Sequence, residues 1–213
     1  MRALDFVAVN PASVIAVVAA YLIGSLSFAV IVSRAMGLAD PRSYGSGNPG
    51  ATNVLRSGSR KAAIATLALD ALKGYVPVVL AFLLAERFGW GNVTIAAVGL
   101  AAFLGHLWPV FFKFQGGKGV ATAAGVLFAF NPFLGLATLL SWALIAAFFR
   151  YSSLASLVAA VFAPFYQALI WGADAFFAAI VVMCALLIWR HQANIKKLLA
   201  GTESKLGQKA KTT

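Results

Sequence analysis

Residues 12–33 read ASVIAVVAAYLIGSLSFAVIVS, a run of 22 residues without a charged side chain. A helix needs about 20 predominantly apolar residues to cross the hydrocarbon core of a bilayer, so this run is long enough for one span. It is too long for the core of a signal peptide, and Arg2, the only cation before it, is offset by Asp5. The stretch therefore predicts an uncleaved first membrane-spanning helix.

Further apolar segments follow along the chain. They cover residues 62–85, 93–112, 120–130, 133–149, 154–171 and 175–189. The segment 120–130 is short for a span, and we expect it either to cross or to pair with 133–149 as a re-entrant hairpin. A β-barrel would show short alternating segments instead. The sequence predicts an all-α, polytopic integral membrane bundle of about seven transmembrane helices.

The composition excludes several classes of protein. Hydrophobic residues make up 62% of the 213 residues and charged residues 11%, with a mean hydropathy of +0.88. A soluble domain has about 45–50% apolar and about 25% charged residues. A water-soluble globule and a disordered chain are therefore excluded, and the single cysteine, Cys184, excludes a disulfide scaffold. We predict one membrane-embedded domain over residues 1–213, ending in a basic cytoplasmic tail at 196–213.

The cations are unevenly distributed between the loops. The chain has 17 Lys and Arg residues against 6 Asp and Glu residues, a net charge of +11. If the tail is cytoplasmic, the cytoplasmic segments hold Arg34, Arg42, Arg56, Arg60, Lys61, Lys113, Lys118, Arg150, Arg190, Lys196, Lys197, Lys205, Lys209 and Lys211. Arg2 and Arg87 fall outside, and Lys73 lies within a span. Because cytoplasmic loops are rich in Lys and Arg, we predict an outside N-terminus and a cytoplasmic C-terminus. An anionic ligand is a second explanation of the excess charge.

A glycine-rich stretch follows the first span. It reads Gly45-Ser46-Gly47-Asn48-Pro49-Gly50-Ala51-Thr52-Asn53, with Arg56 beyond it. The glycine spacing imitates a dinucleotide-binding fingerprint, but that motif requires a preceding strand and a βαβ unit. A tight turn at Pro49-Gly50 is one interpretation. We favour the other, in which backbone N–H groups among small polar residues bind an anion such as phosphate.

A second glycine-rich stretch, Gly116-Gly117-Lys118-Gly119, precedes the short segment 120–130. It is not a Walker A loop, because Phe112 and Gly119 stand where that motif needs glycine and Ser or Thr. A lysine between glycines at the start of a helix suits phosphate binding, since its charge adds to the positive end of the helix. The alternative is an interfacial turn with a snorkelling lysine.

Polar residues also lie at the end of the last span and inside two others. His191 and Asn194 are three residues apart and share a helix face, either as a polar cap or as functional groups. Asp70 and Lys73 are spaced in the same way, and we expect them to pair because isolated charges in a bilayer are costly. Whether that pair is structural or part of a site stays open. His106 is interpreted as a satisfied polar residue between helices.

Together these motifs resemble the bacterial glycerol-3-phosphate acyltransferases that use acyl phosphate, the PlsY family. The resemblance runs from about Tyr21 to Gly207. It also includes Asp70-Ala71-Leu72-Lys73-Gly74, Gly105-His106, the stretch from Ser152 to Ser156, Gly201 and Glu203. Gln115 is a departure, since many members have lysine there. The resemblance implies an enzyme of the bacterial inner membrane with a site that faces the cytoplasm. It would acylate the 1-hydroxyl of glycerol 3-phosphate, giving lysophosphatidic acid and inorganic phosphate in the first step of phospholipid synthesis.

The resemblance also implies the residues of the site. The catalytic candidates are Ser46, Lys118 and His191, and the substrate-binding candidates are Asn48, Gly50, Thr52, Asn53, Arg56, Gly117 and Asn194. Ser46 is expected to be a ligand before a nucleophile, because no Asp–His pair accompanies it. The general base is either His191 or a phosphate oxygen of a substrate. We expect no metal, no cofactor, no nucleic acid and no obligate protein partner. The main alternative is a membrane transporter of phosphorylated metabolites, and the next is a non-catalytic lipid-binding protein.

Overall fold

The computed structural model describes residues 10–207, and the part of the chain it describes is helical, without strands. The helices are α1 (Pro11–Gly24), α2 (Phe28–Ala35), α3 (Ala51–Leu55), α4 (Arg60–Phe88), α5 (Asn92–Leu107), α6 (Val120–Phe130), α7 (Pro132–Phe149), α8 (Ser152–Ile170), α9 (Ala175–Arg190) and α10 (Gln192–Leu199). Each predicted apolar segment corresponds to one of these helices or to a broken pair. Arg2, Asp5, Lys209 and Lys211, which contribute to the predicted charge balance, lie outside the described residues.

Several helices are long and apolar enough to cross a membrane. Among residues 10–207 there are four of them, or up to six if each of two bent pairs forms one span. The four are α4, α5 with its continuation to Phe112, α7 and α8, and the bent pairs are α1 with α2 and α9 with α10. The predicted all-α polytopic membrane bundle is therefore confirmed. The sides on which the two termini lie remain a prediction.

The first span is broken rather than continuous. Helix α1 ends at Gly24 and α2 begins at Phe28, with a bend of 45° between them. Backbone groups released by such a break need partners, because lipid supplies none. The Lys73 ammonium of α4 donates to the Leu26 carbonyl at 2.7 Å, and the Ser25 hydroxyl donates to the Tyr21 carbonyl at 2.8 Å. A polar side chain from a distant helix thus stabilises the break, which the uniformly apolar run does not reveal.

Helix α5 lies at the centre of the bundle and packs against α1, α4, α6 and α9. Small residues allow the closest helix crossings, as is common in membrane bundles. At the α4–α6 crossing, a Cβ on Gly74 would overlap the Thr122 carbonyl, and one on Gly125 would overlap the Ala71 carbonyl. These contacts fix α6 against α4, and the glycines that precede α6 lie against His106, Leu107 and Phe103 of α5.

The short segment 120–130 forms an 11-residue helix, α6. At 1.5 Å per residue it is about 16 Å long, roughly half of a 30 Å hydrocarbon core. Helix α7 begins at Pro132, directly after it, and Asn131 caps α7 by accepting from the Phe133 and Leu134 N–H groups. The two helices pack against each other, as the hairpin interpretation expects.

The described part of the predicted basic cytoplasmic tail at 196–213 contains a helix and a segment that returns to the bundle. Its first residues belong to α10, which follows a 57° bend after α9. Residues 202–207 then return towards the bundle, where Glu203 contacts α8 and Ser204 contacts Arg56. The composition does not reveal these contacts, which also include the Lys205 ammonium over the Tyr151 ring.

Candidate active site

The three sequence motifs meet around one cavity of about 740 Å³. It lies at the N-terminal ends of α6 and α8, beside α3 and the junction between α9 and α10. The predicted site residues that line it are Ser46, Asn48, Gly50, Thr52, Asn53, Arg56, Lys118, His191 and Asn194. Gly117 does not line the cavity and is buried behind it. Stretches far apart in sequence therefore converge here; Arg56 and Ser204, which are in contact, are 148 residues apart.

Asn53 organises the glycine-rich loop that carries Ser46. Its Oδ1 accepts from the Ser46 N–H at 3.0 Å, and its Nδ2 donates to the carbonyls of Pro41 at 2.6 Å and Tyr44 at 3.1 Å. The side chain is 2% exposed. Its amide is thus occupied by the loop itself, and the loop presents Ser46 to the cavity.

The backbone of this loop differs from the tight turn considered at Pro49-Gly50, a pair that suits the centre of a type II turn. Gly50 is extended, with φ −156°, where the turn would need a positive φ. Gly45 and Gly47 have φ of +59° and +66°, a region that glycine adopts without strain. The tight turn at Pro49-Gly50 is therefore not formed, and the glycines instead shape a loop that leads into α3.

Lys118 lies directly before α6, as the sequence predicts. Gly119 has φ +85° and caps the helix, which begins at Val120. The Lys118 ammonium donates to Oδ1 of Asn194. The first N–H groups of a helix have no intrahelical acceptor and carry a partial positive charge, so this end of α6 adds to the charge of Lys118.

The surroundings of the Lys118 ammonium favour the loss of its proton. Burial lowers the pKa of the Lys118 ammonium to about 8, against a partial opposing effect from the Glu203 carboxylate. Nearby positive charges lower it further; they belong to Arg56, Arg190 and Lys197. A site that concentrates so much positive charge favours an anion.

His191 lies at the junction of α9 and α10 and is 3% exposed. Its Nδ1 is 2.8 Å from the Leu187 carbonyl, and a carbonyl oxygen can only accept, so Nδ1 carries the proton. Burial lowers the pKa of His191 to about 4, with a partial opposing effect from that hydrogen bond. The ring is therefore neutral at pH 7, and Nε2 is free to accept a hydrogen bond.

Glu203 joins the third motif to α8. Its Oε1 accepts from Nδ2 of Asn194 and from the Ser153 hydroxyl, both at 2.7 Å. Arg56 donates to the Ser204 hydroxyl at 2.6 Å. The resemblance drew attention to Glu203 and to residues 152–156 without assigning them a role. A lone acid in a basic tail and a cluster of hydroxyls at the start of an apolar helix were the available signals.

One of the two buried charges of α4, Asp70, lies at the wall of the cavity. Lys73 and Asp70 pair at 2.7 Å, which confirms the predicted ion pair. The Thr122 hydroxyl donates to the Asp70 carbonyl at 3.0 Å and lies 3.1 Å from Nδ1 of His106. His106 is thus a hydrogen-bonded residue between helices, as interpreted, and both it and Asp70 also line the cavity.

Comparisons with known proteins agree with one another. The family model described as glycerol-3-phosphate acyltransferase matches residues 14–201. A glycerol-3-phosphate acyltransferase of Ralstonia nicotianae is 67% identical over 95% of this chain and 98% of its own length. One from Paraburkholderia phymatum is 62% identical over 93% of this chain and 95% of its own length.

Two solved structures have the same fold. Both are crystal structures of PlsY (YgiH), an integral membrane glycerol 3-phosphate acyltransferase. The glycerol 3-phosphate form is 40% identical, with a TM-score of 0.86, over 92% of this chain and 96% of that chain. The lysophosphatidic acid form is 39% identical, with a TM-score of 0.84, over the same shares of both chains.

Proposed function

The chain belongs to the glycerol-3-phosphate acyltransferase family, and on that premise we propose that acyl phosphate is its donor. The enzyme would transfer the acyl group to the 1-hydroxyl of glycerol 3-phosphate, giving lysophosphatidic acid and inorganic phosphate. This would be the first step of phospholipid synthesis, at the cytoplasmic face of a bacterial inner membrane.

The observation that carries this proposal is the concentration of positive charge around one cavity. Arg56, Lys118 and the N-terminus of α6 all border it. Both substrates have anionic phosphate heads, and charge-assisted contacts from Arg, Lys and backbone N–H groups are the strong way to bind them. A cavity of about 740 Å³ has room for two such heads.

The chemistry requires no covalent enzyme intermediate. The glycerol oxygen forms a bond to the acyl carbon, and the bond between that carbon and the phosphate oxygen breaks, so that inorganic phosphate leaves. The hydroxyl proton passes to a phosphate oxygen or to Nε2 of His191. Because the donor is already an activated mixed anhydride, positioning and stabilisation of negative charge supply most of the acceleration.

The side chains around the cavity take different roles in this scheme. Lys118 and Arg56 bind phosphate, Ser46 is a ligand of the reacting groups, and neutral His191 accepts a hydrogen bond from the glycerol part. Polar ligands are also offered by Asn48, Gly50, Thr52 and Asn194. Asn53 and Gly117 act through the backbone: the first holds the loop, and the second allows the linker to approach the His106 ring, which a Cβ would overlap.

The acyl chain needs an apolar path from the cavity to the lipid. Leu67 lines the cavity and is 53% exposed on α4, and Val120 and Ala121 line it from α6. We assign this α4–α6 side to the acyl chain, because an exposed apolar residue in a membrane bundle contacts lipid.

The test is an assay of the purified protein in detergent with labelled glycerol 3-phosphate. Acyl phosphate should yield labelled lysophosphatidic acid and inorganic phosphate in equal amounts, and acyl-CoA should yield none. Equal or faster turnover with acyl-CoA would contradict the proposed donor. Bent helices such as α1–α2 and α9–α10 also occur in transporters. A transporter would form no product in detergent, where no membrane barrier exists.

A further inference from the structure

Arg190, the last residue of α9, holds the glycines that precede Lys118. Its Nη2 donates to the Gly116 carbonyl at 2.8 Å, and its Nε donates to the Gly117 carbonyl at 3.2 Å. From the other side, the Gly117 N–H donates to the His106 carbonyl at 3.2 Å. Two successive peptide groups are therefore fixed between α9 and α5.

These hydrogen bonds matter because Gly116 and Gly117 have no side chains that could hold the backbone of the linker in place. Glycine populates a wider range of backbone conformations than any other residue, so an unrestrained Gly-Gly linker would place Lys118 poorly. A guanidinium offers two N–H donors in a rigid fork, which suits two neighbouring carbonyls. An ammonium at the same place is a single point charge with no such fork.

We propose that Arg190 is a positioning residue that acts on the reaction through Lys118. Arg190 fixes the Gly116 and Gly117 peptides. Lys118 and the first turn of α6 are thereby held at a set distance from His191, the residue that follows Arg190 in the sequence. This inference rests on the proposed role of Lys118 in binding phosphate. Arg190 itself does not line the cavity, so it needs no contact with a substrate.

The test compares Arg190→Gln in two backgrounds, wild type and Lys118→Met, with kcat/KM measured in detergent. In the wild type we expect Arg190→Gln to lower kcat/KM about 10- to 100-fold, the range expected for a misplaced binding group. In the Lys118→Met background the same change should cost less than about threefold, because no ammonium is left to misplace. An equal factor in both backgrounds would mean that Arg190 acts independently of Lys118, and would overturn the proposal.

Two further variants keep the test decisive. Arg190→Lys retains the charge and should recover only part of the activity, whereas full recovery would contradict the requirement for a fork. Arg87→Gln, which removes a cation at the far end of α4, should leave kcat/KM unchanged. Thermal unfolding in detergent measures the folded fraction of each protein.

Failure of the proposed function is seen separately from failure of this inference. A wild-type protein that makes no product from acyl phosphate refutes the donor, whatever Arg190 does. Lys118→Met with wild-type activity refutes the role of Lys118, and the role of Arg190 with it. An active wild type, an impaired Lys118→Met and an unimpaired Arg190→Gln refute the positioning role alone.

Discussion

Lys118 is flanked by glycines, so no bulky side chain shields its ammonium from a phosphate. A hydrogen bond to a charged group is worth about 1.5–3 kcal/mol, or roughly 10- to 150-fold. Lys118→Met should lower kcat/KM by at least that range, and Lys118→Arg should recover only part, because the wider guanidinium needs a different approach. Steady-state rates at matched folded amounts measure this. Lys113→Met, at an exposed lysine of the same linker, is the control; near-wild-type activity of Lys118→Met would favour the snorkelling lysine.

The pKa of Lys118 adds a pH dependence to this residue. The ammonium must be charged to bind phosphate, and with a pKa of about 8 in the free protein it loses its proton as the pH rises through that value. We therefore expect kcat/KM to fall above about pH 8 in the wild type. In Lys118→Arg the decline should be absent up to pH 10, because a guanidinium keeps its proton there. The same decline in both proteins would exclude Lys118 as its source.

His191 allows two roles to be separated. Its pKa of about 4 makes the ring a weak base, and this favours orientation of the glycerol part over proton abstraction. His191→Asn should therefore keep much of kcat and mainly raise KM for glycerol 3-phosphate. A general base would instead lose about 10²–10⁴-fold in turnover. Saturation kinetics at pH 7 distinguish the outcomes, and a large loss of kcat with unchanged KM would establish the base.

Residues that line the cavity are indicated by the sequence where several polar residues or glycines lie together. Ser46, Lys118 and His191 each lie in a short stretch of glycines or polar residues, and such stretches stand out against apolar spans. Glu203 and the serines at the start of α8 give only weak local signals, and the contact between Glu203 and Ser153 joins positions 50 residues apart. Nothing local marks such a pair. Asn53 shows a different limit. Its motif indicates a binding site but does not reveal that the Asn53 side-chain amide is hydrogen-bonded within the loop itself.

At the level of helices, apolar length predicts spans but not their breaks. The run 12–33 contains two helices, and at the break between them Lys73, more than 40 positions later, donates to the Leu26 carbonyl. Pro77 lies inside α4 without ending it, so a proline alone does not mark a break either. Breaks in this bundle depend on contacts between helices, and a single sequence does not contain them.

The α4–α6 crossing positions α6, the helix that begins two residues after Lys118. A Cβ on Gly125 would overlap the Ala71 carbonyl, which belongs to a helix backbone and yields little. Gly125→Val should therefore separate α4 from α6 and destabilise the protein by about 1–3 kcal/mol, the usual cost of overpacking. Thermal unfolding in detergent measures the loss. Ala124→Val, at the half-buried preceding position, is the matched control, and equal stability of both variants would show that the crossing accommodates a side chain.

Over the whole molecule, the cavity and the C-terminal part of the described chain lie at one end of α4. The N-terminal part of the described chain lies at the other end. The cavity adjoins Arg60, near the first residue of this 29-residue helix, and Ser204 near the C-terminus bonds Arg56 beside it. Asn10, at the start of α1, donates to the Phe88 carbonyl at the other end of α4. At 1.5 Å per residue those ends are about 43 Å apart, more than the hydrocarbon core is thick.

Because of this geometry, the side of the membrane on which each terminus lies also determines the side on which the cavity lies. The cations concentrate at the cavity end, which the charge rule assigns to the cytoplasm. A reporter fused after Thr213 should therefore be cytoplasmic, and one placed before Arg2 should be outside. A reporter inserted at Gly91, between α4 and α5, should match the N-terminal one. If both reporters were on the same side, the chain would cross the membrane an even number of times. That result would contradict the placement of the two termini at opposite ends of α4. If the two sides were exchanged, the cavity would face away from the cytosol, and a soluble substrate such as glycerol 3-phosphate would have to reach it from outside.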